Sequence, residues 1–314
     1  MAKSGLQKAD IFDIIVSTMR IGGFELQEPL PSLRRPHIVA SLRPWLDAGG
    51  VGTLTLGRLE RHLGAQDVGS LATPGTYFDF TRYRPMVFYV EDQRRTTIPN
   101  VSVRYAKGTG DFDFLFLNLL EPHVNAEEFI DSVVALIQRF DGARYCRVGG
   151  MYDAVPHTRP LPVMATLDGE EIPALPGVTP MRRGRYQGPT SIMNLVGDRL
   201  TAKGVENMTV MVRLPQYVQL EEDYSGAARV LNVLCHLYNL PQELSVSRRG
   251  QRQYERVSAE IERNAGVKAL VERLEADYDA WIEAHPNEEP PSSPLAPSVQ
   301  RFLEQLGEKF DDAQ

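Results

Sequence analysis

Three glycine-rich junctions gather the residue types from which acid–base and anion-binding chemistry is built. The first, Trp45-Leu46-Asp47-Ala48-Gly49-Gly50, stands between an apolar run and a helical stretch. The second runs from Gly149 through Asp153 to His157, with Arg159 just beyond, and the third from Tyr186 to Thr190, flanked by Arg185 and Ser191. Asp47, Asp153 and His157 are candidate proton carriers. Gly49 and Gly50 let a ligand approach the backbone at a helix start, where free N–H groups favour an anion. Arg185, Tyr186 and Thr190 add hydrogen-bond donors. Together Asp47, Gly49, Gly50, Asp153, His157, Arg185, Tyr186 and Thr190 form the candidate ligand-binding set. The same residue types also make turns, helix caps and subunit contacts. For Asp47 capping is the stronger expectation, because a carboxylate at a helix start satisfies the orphan N–H groups by itself.

No G-x-S-x-G elbow, G-x-x-x-x-G-K-[ST] loop or H-E-x-x-H helix occurs in the chain. Gly50-Val51-Gly52 lacks the third glycine of a dinucleotide loop, so NAD is not expected, and neither is any other cofactor. Glu121 and His123 in LLEPH bring a carboxylate and an imidazole close together. A closed metal site takes three or four ligands, so no metal is expected there, only mutual hydrogen bonding or exposure to solvent. The arginines Arg182, Arg183 and Arg185 have the chemistry of a phosphate clamp, with solvation as the commoner outcome for a loop.

The elements that must position these groups alternate. Ile38–Leu42 reads as a buried strand, and Val51, Leu54, Leu56, Leu59 and Leu63 then recur at helical spacing up to Gly64. Residues 67–71, 86–90 and 101–105 are strand-like. FDFLFLNLL over 112–120 reads as a central strand buried on both sides. Asn125 and Glu128 look like a capping box for a helix whose stripe is Phe129, Ile130, Val133, Val134, Leu136 and Ile137. Strands at 144–148, 161–167 and 205–214 and helices from about Thr190 and over 224–238 complete the series. The aromatic stretch TPGTYFDFTRYRP is expected to cover the core. Connections too long for hairpins predict an α/β fold with a mostly parallel sheet covered by helices on both faces. Ligands in such sheets bind at the carboxyl ends of strands, where the three junctions would converge.

Both ends of the chain read as helical. Lys8–Arg20 carries Ile11, Ile14, Ile15 and Met19 on one face. After Val246 come one or two charged amphipathic helices, which either fold back on the sheet or meet another subunit. A Pro-rich linker over 286–298 and a short helix, Val299–Phe310, follow. The expected division is a body over 1–245 and a helical extension over 246–314. A net charge of −7 and a pI near 5.5 exclude a general nucleic-acid binder. No apolar run is long enough to span a bilayer. Cys146 and Cys235 lie in apolar segments and are expected to be buried thiols in a reducing, cytoplasmic setting.

The segments WLDAGGVGTLTLGRL, YQGPTSIMNLV and LPQYVQLEEDYSGAARVLNVL, in this order, resemble the bacterial and archaeal relatives of the second eukaryotic proteasome assembly chaperone, the PAC2-like family, in its actinobacterial type. The likeness spans about residues 35–245. It implies a three-layer α/β/α body similar to phosphorylase-like folds, and often a homotrimer. Members that dock on proteasome rings end in a hydrophobic-Tyr-any motif. The end here, Phe310-Asp311-Asp312-Ala313-Gln314, departs from it. The leading expectation is a non-catalytic, homo-oligomeric assembly or interaction protein with a protein partner. The alternative is a binding protein or enzyme for a nucleoside-like or phosphorylated ligand at the strand-end cleft.

Overall fold

The computed structural model describes residues 17–172, 178 and 188–284. The expected helix at 299–310, the linker at 286–298 and most of the expected helix at 8–20 lie outside them. The central parallel strands are those with the most continuous apolar character: β3 (His37–Arg43), β8 (Phe114–Leu120), β9 (Arg144–Asp153) and β12 (Glu206–Pro215). They lie in the order β8-β3-β9-β12 and pair in parallel throughout. Residues on alternate sides of β3 enter two separate cores, Ile38 and Ala40 one and Val39 the other. A strand buried on both faces thus needs no polar alternation.

Helices α1 (Val51–Leu63) and α4 (Tyr224–Tyr238) cover one face, and α2 (Ala126–Arg139) and α3 (Ile192–Thr201) cover the other. The chain is therefore a three-layer α/β/α protein. Among the described residues the sheet has ten strands and continues into antiparallel wings. On one side lie β7 (Ser102–Ala106), β4 (Gln66–Leu71), β2 (Phe24–Gln27) and β1 (Thr18–Ile21). On the other lie β10 (Val163–Leu167) and β11 (Glu170–Glu171).

Two local expectations are corrected. Thr18–Arg20 belongs to a strand rather than a helix, because Gly22, at φ 54°, turns β1 back onto β2, and the Gly23 amide is anchored by Ser132 Oγ at 2.9 Å. Asn125 precedes α2 but does not cap it with its side chain. It is left-handed at φ 52°, its amide donates to Thr76 O at 2.8 Å, and Glu128 accepts instead from the Tyr77 hydroxyl at 2.9 Å. The aromatic stretch after β4 does cover the core, with Tyr77 and Phe78 buried and packed edge-on against Phe129.

The strand at β5 (Met86–Val90) forms outside the main sheet. Among the described residues it pairs only with β6 (Gln93–Thr97), across a turn in which Glu91 and Asp92 are both left-handed, the geometry that joins two-residue hairpins. Every residue of the two strands is exposed. Beyond the body, α5 (Arg248–Ile261) and α6 (Ala265–Ala284) fold back over the carboxyl ends of β9 and β12. Cys146 and Cys235 are free and buried, and burial pushes their thiols up to about 12 and about 11. Among the described residues no helix is long and apolar enough to cross a membrane.

Candidate functional site

The first two glycine-rich junctions meet. Gly150 N donates to Leu46 O at 2.9 Å, and Asp47 and Gly150 form a short parallel bridge. A Cβ at Gly149 would stand 2.0 Å from Leu46 O, so a side chain there would force the junctions apart. Asp47 caps α1: Oδ1 accepts from Gly52 N at 2.6 Å and Thr53 N at 3.2 Å, and Oδ2 accepts from the Thr53 hydroxyl at 2.6 Å. Burial raises its pKa against those bonds and the charge of Arg43. Gly49, at φ 56°, turns its carbonyl to Asp223 N at 2.7 Å, and Gly50 is likewise left-handed.

Asp223 is the centre of this arrangement and was visible in the sequence only as the last of three acidic residues before a helix. It is 1% exposed, caps α4 through Gly226 N at 2.7 Å, and accepts from the Tyr254 hydroxyl of α5 at 2.8 Å. Burial raises its pKa as well. Asp153, at the end of β9, pairs with the buried Arg213 at 3.1 Å and accepts from Ala154 N at 2.7 Å.

His157 is buried between Tyr217 and Ser258. Its Nδ1 lies 2.7 Å from the Tyr217 hydroxyl and its Nε2 lies 2.9 Å from Ser258 Oγ. A serine and a histidine at this distance are the parts of an acyl-transfer site. The surrounding bonds assign the proton otherwise. Ser258 donates to Tyr254 O at 3.0 Å, so Nε2–H donates to Ser258, Nδ1 accepts from Tyr217, and the Tyr217 oxygen accepts from His157 N at 2.8 Å. This assignment gives every proton a partner and leaves the ring no lone pair toward the serine. Burial lowers the His157 pKa and favours this neutral form.

Next to it, Arg159 takes Asp279 of α6 with two bonds, at 2.8 and 2.6 Å, and Tyr278 donates to Pro160 O at 3.0 Å. His157, Arg159 and Asp223 are thus engaged in holding α5 and α6, while Asp47 holds α1 and Asp153 holds Arg213. A cleft of about 370 Å³ remains between them and α4, walled by Ser225, Arg229, Ser247, Gln251 and Tyr254. Thr190 is not part of this cluster. It precedes α3, on the opposite face of the sheet from α1, and its hydroxyl accepts from Asn194 Nδ2 at 2.5 Å. Arg185 and Tyr186 lie outside the described residues. Tyr254 and Ser258 stand four residues apart on α5, one helical turn, which was the sequence signal for a shared contact.

Tyr254→Phe removes one of these ties without a change of shape. It is expected to speed amide exchange across α5 about tenfold, the ordinary worth of a hydrogen bond to a carboxylate. Exchange in β3 should be unchanged. Mass-spectrometric hydrogen exchange checks both, and equal rates in α5 would refute the tie.

Among solved structures, the chain is similar to a Mycobacterium tuberculosis protein of unknown function, with 26% identity and a TM-score of 0.72 over 86% of this chain and 92% of that one. It shares its fold with a PAC2 family protein from Streptomyces avermitilis (22% identity, TM-score 0.62, 75% of this chain and 99% of that one). The fold is also that of a proteasome-assembly chaperone homologue from M. tuberculosis (20% identity, TM-score 0.59, 73% and 94%). Curated proteins give no match. The family model of the PAC2 family matches residues 41–265, from β3 through α5, and the chain belongs to that family.

Proposed function

We propose that this chain is an oligomeric interaction protein of the assembly-chaperone type, whose copies join through the β5–β6 hairpin. The carrying observation is the hairpin itself. Met86, Val87, Phe88, Tyr89 and Val90 are all exposed, Tyr89 by 70% and Met86 by 65%. They alternate between the two faces of a ribbon that pairs with no other strand among the described residues. A free two-stranded ribbon is marginal in water, and its outer edges carry unpaired backbone groups. A second copy of the same ribbon offers matching edges and matching apolar faces.

Family membership supports the reading, and so does the name of the M. tuberculosis relative as a proteasome-assembly chaperone homologue. Three copies is the number the family likeness implies. His157, Arg159 and Asp223 support it as anchors for α5 and α6, which lie over the strand ends that a ligand site would need open. Two buried free thiols fit a reducing, cytoplasmic setting.

Glutamates at Phe88 and Tyr89 test the proposal. Light scattering should give a multiple of 35.2 kDa for the natural chain and a single chain for the double variant. The melting temperature of the dissociated body should stay close, since the hairpin lends nothing to its core. A natural chain that is monomeric at tens of micromolar, or a variant that still assembles, ends the proposal.

A further inference from the structure

Strands β3 and β8 lie side by side in parallel, yet their outgoing connections leave to opposite faces, to α1 on one and α2 on the other. Such a reversal opens a crevice at the carboxyl ends of the two strands, where α/β sheets take their ligands. Here the crevice is tied together by backbone: Glu121 N donates to Arg43 O at 2.8 Å, and the Tyr83 hydroxyl donates to Glu121 O at 3.1 Å. The ring of His123 lies 4.6 Å from that of Tyr83. Trp45, two residues beyond the end of β3, is 47% exposed.

Within this frame Glu121 is anomalous. Its Oε2 is closed off from solvent and has no hydrogen-bond partner among the described residues. Other buried or half-buried carboxylates are well supplied: Asp47 by the start of α1, Asp153 by Arg213, Asp223 by Gly226 and Tyr254, Glu60 by Arg104 and Asn118, and Asp113 by Arg34 and Lys107. The imidazole that the sequence sets beside Glu121 does not serve it, because His123 Nδ1 accepts from Asp79 N at 3.1 Å. Burial raises the Glu121 pKa, and no positive group among the described residues offsets it. The charge of Arg43 bears instead on Tyr83 and Asp47. An unsatisfied carboxylate that costs the fold stability, placed at the strand ends where ligands bind, marks a binding group.

We propose that the β3–β8 crevice is a binding site for an organic monocation, an ammonium or guanidinium group that donates to Glu121 and lies against the ring of Tyr83. A carboxylate without a donor takes a charged N–H group most strongly, and an aromatic face adds to the attraction. An anion would meet the Glu121 charge. The site is distinct from the strand-end cluster under α5 and does not depend on the hairpin.

The full chain is titrated with n-butylguanidinium, with N-acetyl-arginine methylamide and, as the uncharged control, with n-butylurea. Binding is followed by calorimetry and by tryptophan fluorescence, with Trp45→Phe to separate Trp45 from Trp281. Saturable binding of a cation and not of the urea is the expected result. Binding of butylguanidinium alone identifies a free small cation as the ligand, and binding of the arginine derivative as well identifies a basic side chain of a partner. Glu121→Gln should weaken the cation at least about tenfold, as loss of a charge-assisted hydrogen bond does. It should melt at the same temperature as the natural chain or higher, because the fold loses only a desolvated charge. Lowering the pH into the carboxylate range should weaken binding by protonating Glu121. The proposal is overturned if no cation saturates, if the urea binds equally, if Glu121→Gln binds unchanged, or if it melts lower, which would make the carboxylate a structural group.

Discussion

Asp223→Ala is expected to lower the free energy of unfolding by about 2–3 kcal/mol. Loss of the α4 cap accounts for about 1 kcal/mol, and the Tyr254 hydroxyl left buried without an acceptor adds about 1–3 kcal/mol. Removing a carboxylate whose pKa burial has raised offsets part of that sum, so the lower half of the range applies. Asp223→Asn is the control. Its amide oxygen can still accept from Gly226 N and its amide nitrogen can donate to the Tyr254 oxygen, so the loss should be smaller than for alanine. Urea unfolding at neutral pH reads both. An alanine variant within about 0.5 kcal/mol of the natural chain would place this residue among ordinary surface positions.

Acid should destabilise the chain through His37. The ring is 8% exposed, stacked 4.2 Å from Phe112 and edge-on to Tyr238, and its Nδ1 has no partner. Burial, followed by the charge of Arg144, lowers its pKa from 6.5 to about 4. Because the unfolded chain takes up the proton first, stability is complete above pH 6.5 and falls as the pH drops toward about 4. The loss is about 2–3 kcal/mol, the lower figure allowing for solvent at the ring edge. His157, also lowered by burial, acts in the same direction. The raised carboxyl groups of Asp47, Asp153 and Asp223 act oppositely, so the difference between the natural chain and His37→Phe isolates the histidine. The two should converge by that amount in favour of the variant between pH 7 and pH 4. Parallel stability curves would exclude this origin.

What the sequence made legible was local. The continuous apolar runs of β3 and β8 read as buried strands because both their faces are covered, and α4 is bounded at Tyr224 and Tyr238 by its own spacing. Asp47 was readable as a cap because its partners lie five and six residues away. By contrast, β6 is QRRTT, which has no apolar alternation, and it forms only because β5 and the Glu91-Asp92 turn carry it. The bond from His157 to Ser258 spans 101 residues, and no local pattern encodes it. The convergence of the first two junctions followed from strand order. Of the third junction, Thr190 is described and precedes α3, which covers the other face, a choice that helix periodicity does not express.

The closure of α5 and α6 over the strand ends also fixes an order in time. Arg159 leaves the ribosome 120 residues before Asp279, the partner that holds it. At about 5–20 residues per second, that separation leaves the second junction without its cover for roughly ten seconds of synthesis. During that interval β9 is already available to pair with β3, while His157 still faces water. The last helices therefore finish the body after its sheet has formed, and a pause in translation between α4 and α6 prolongs the life of the open form.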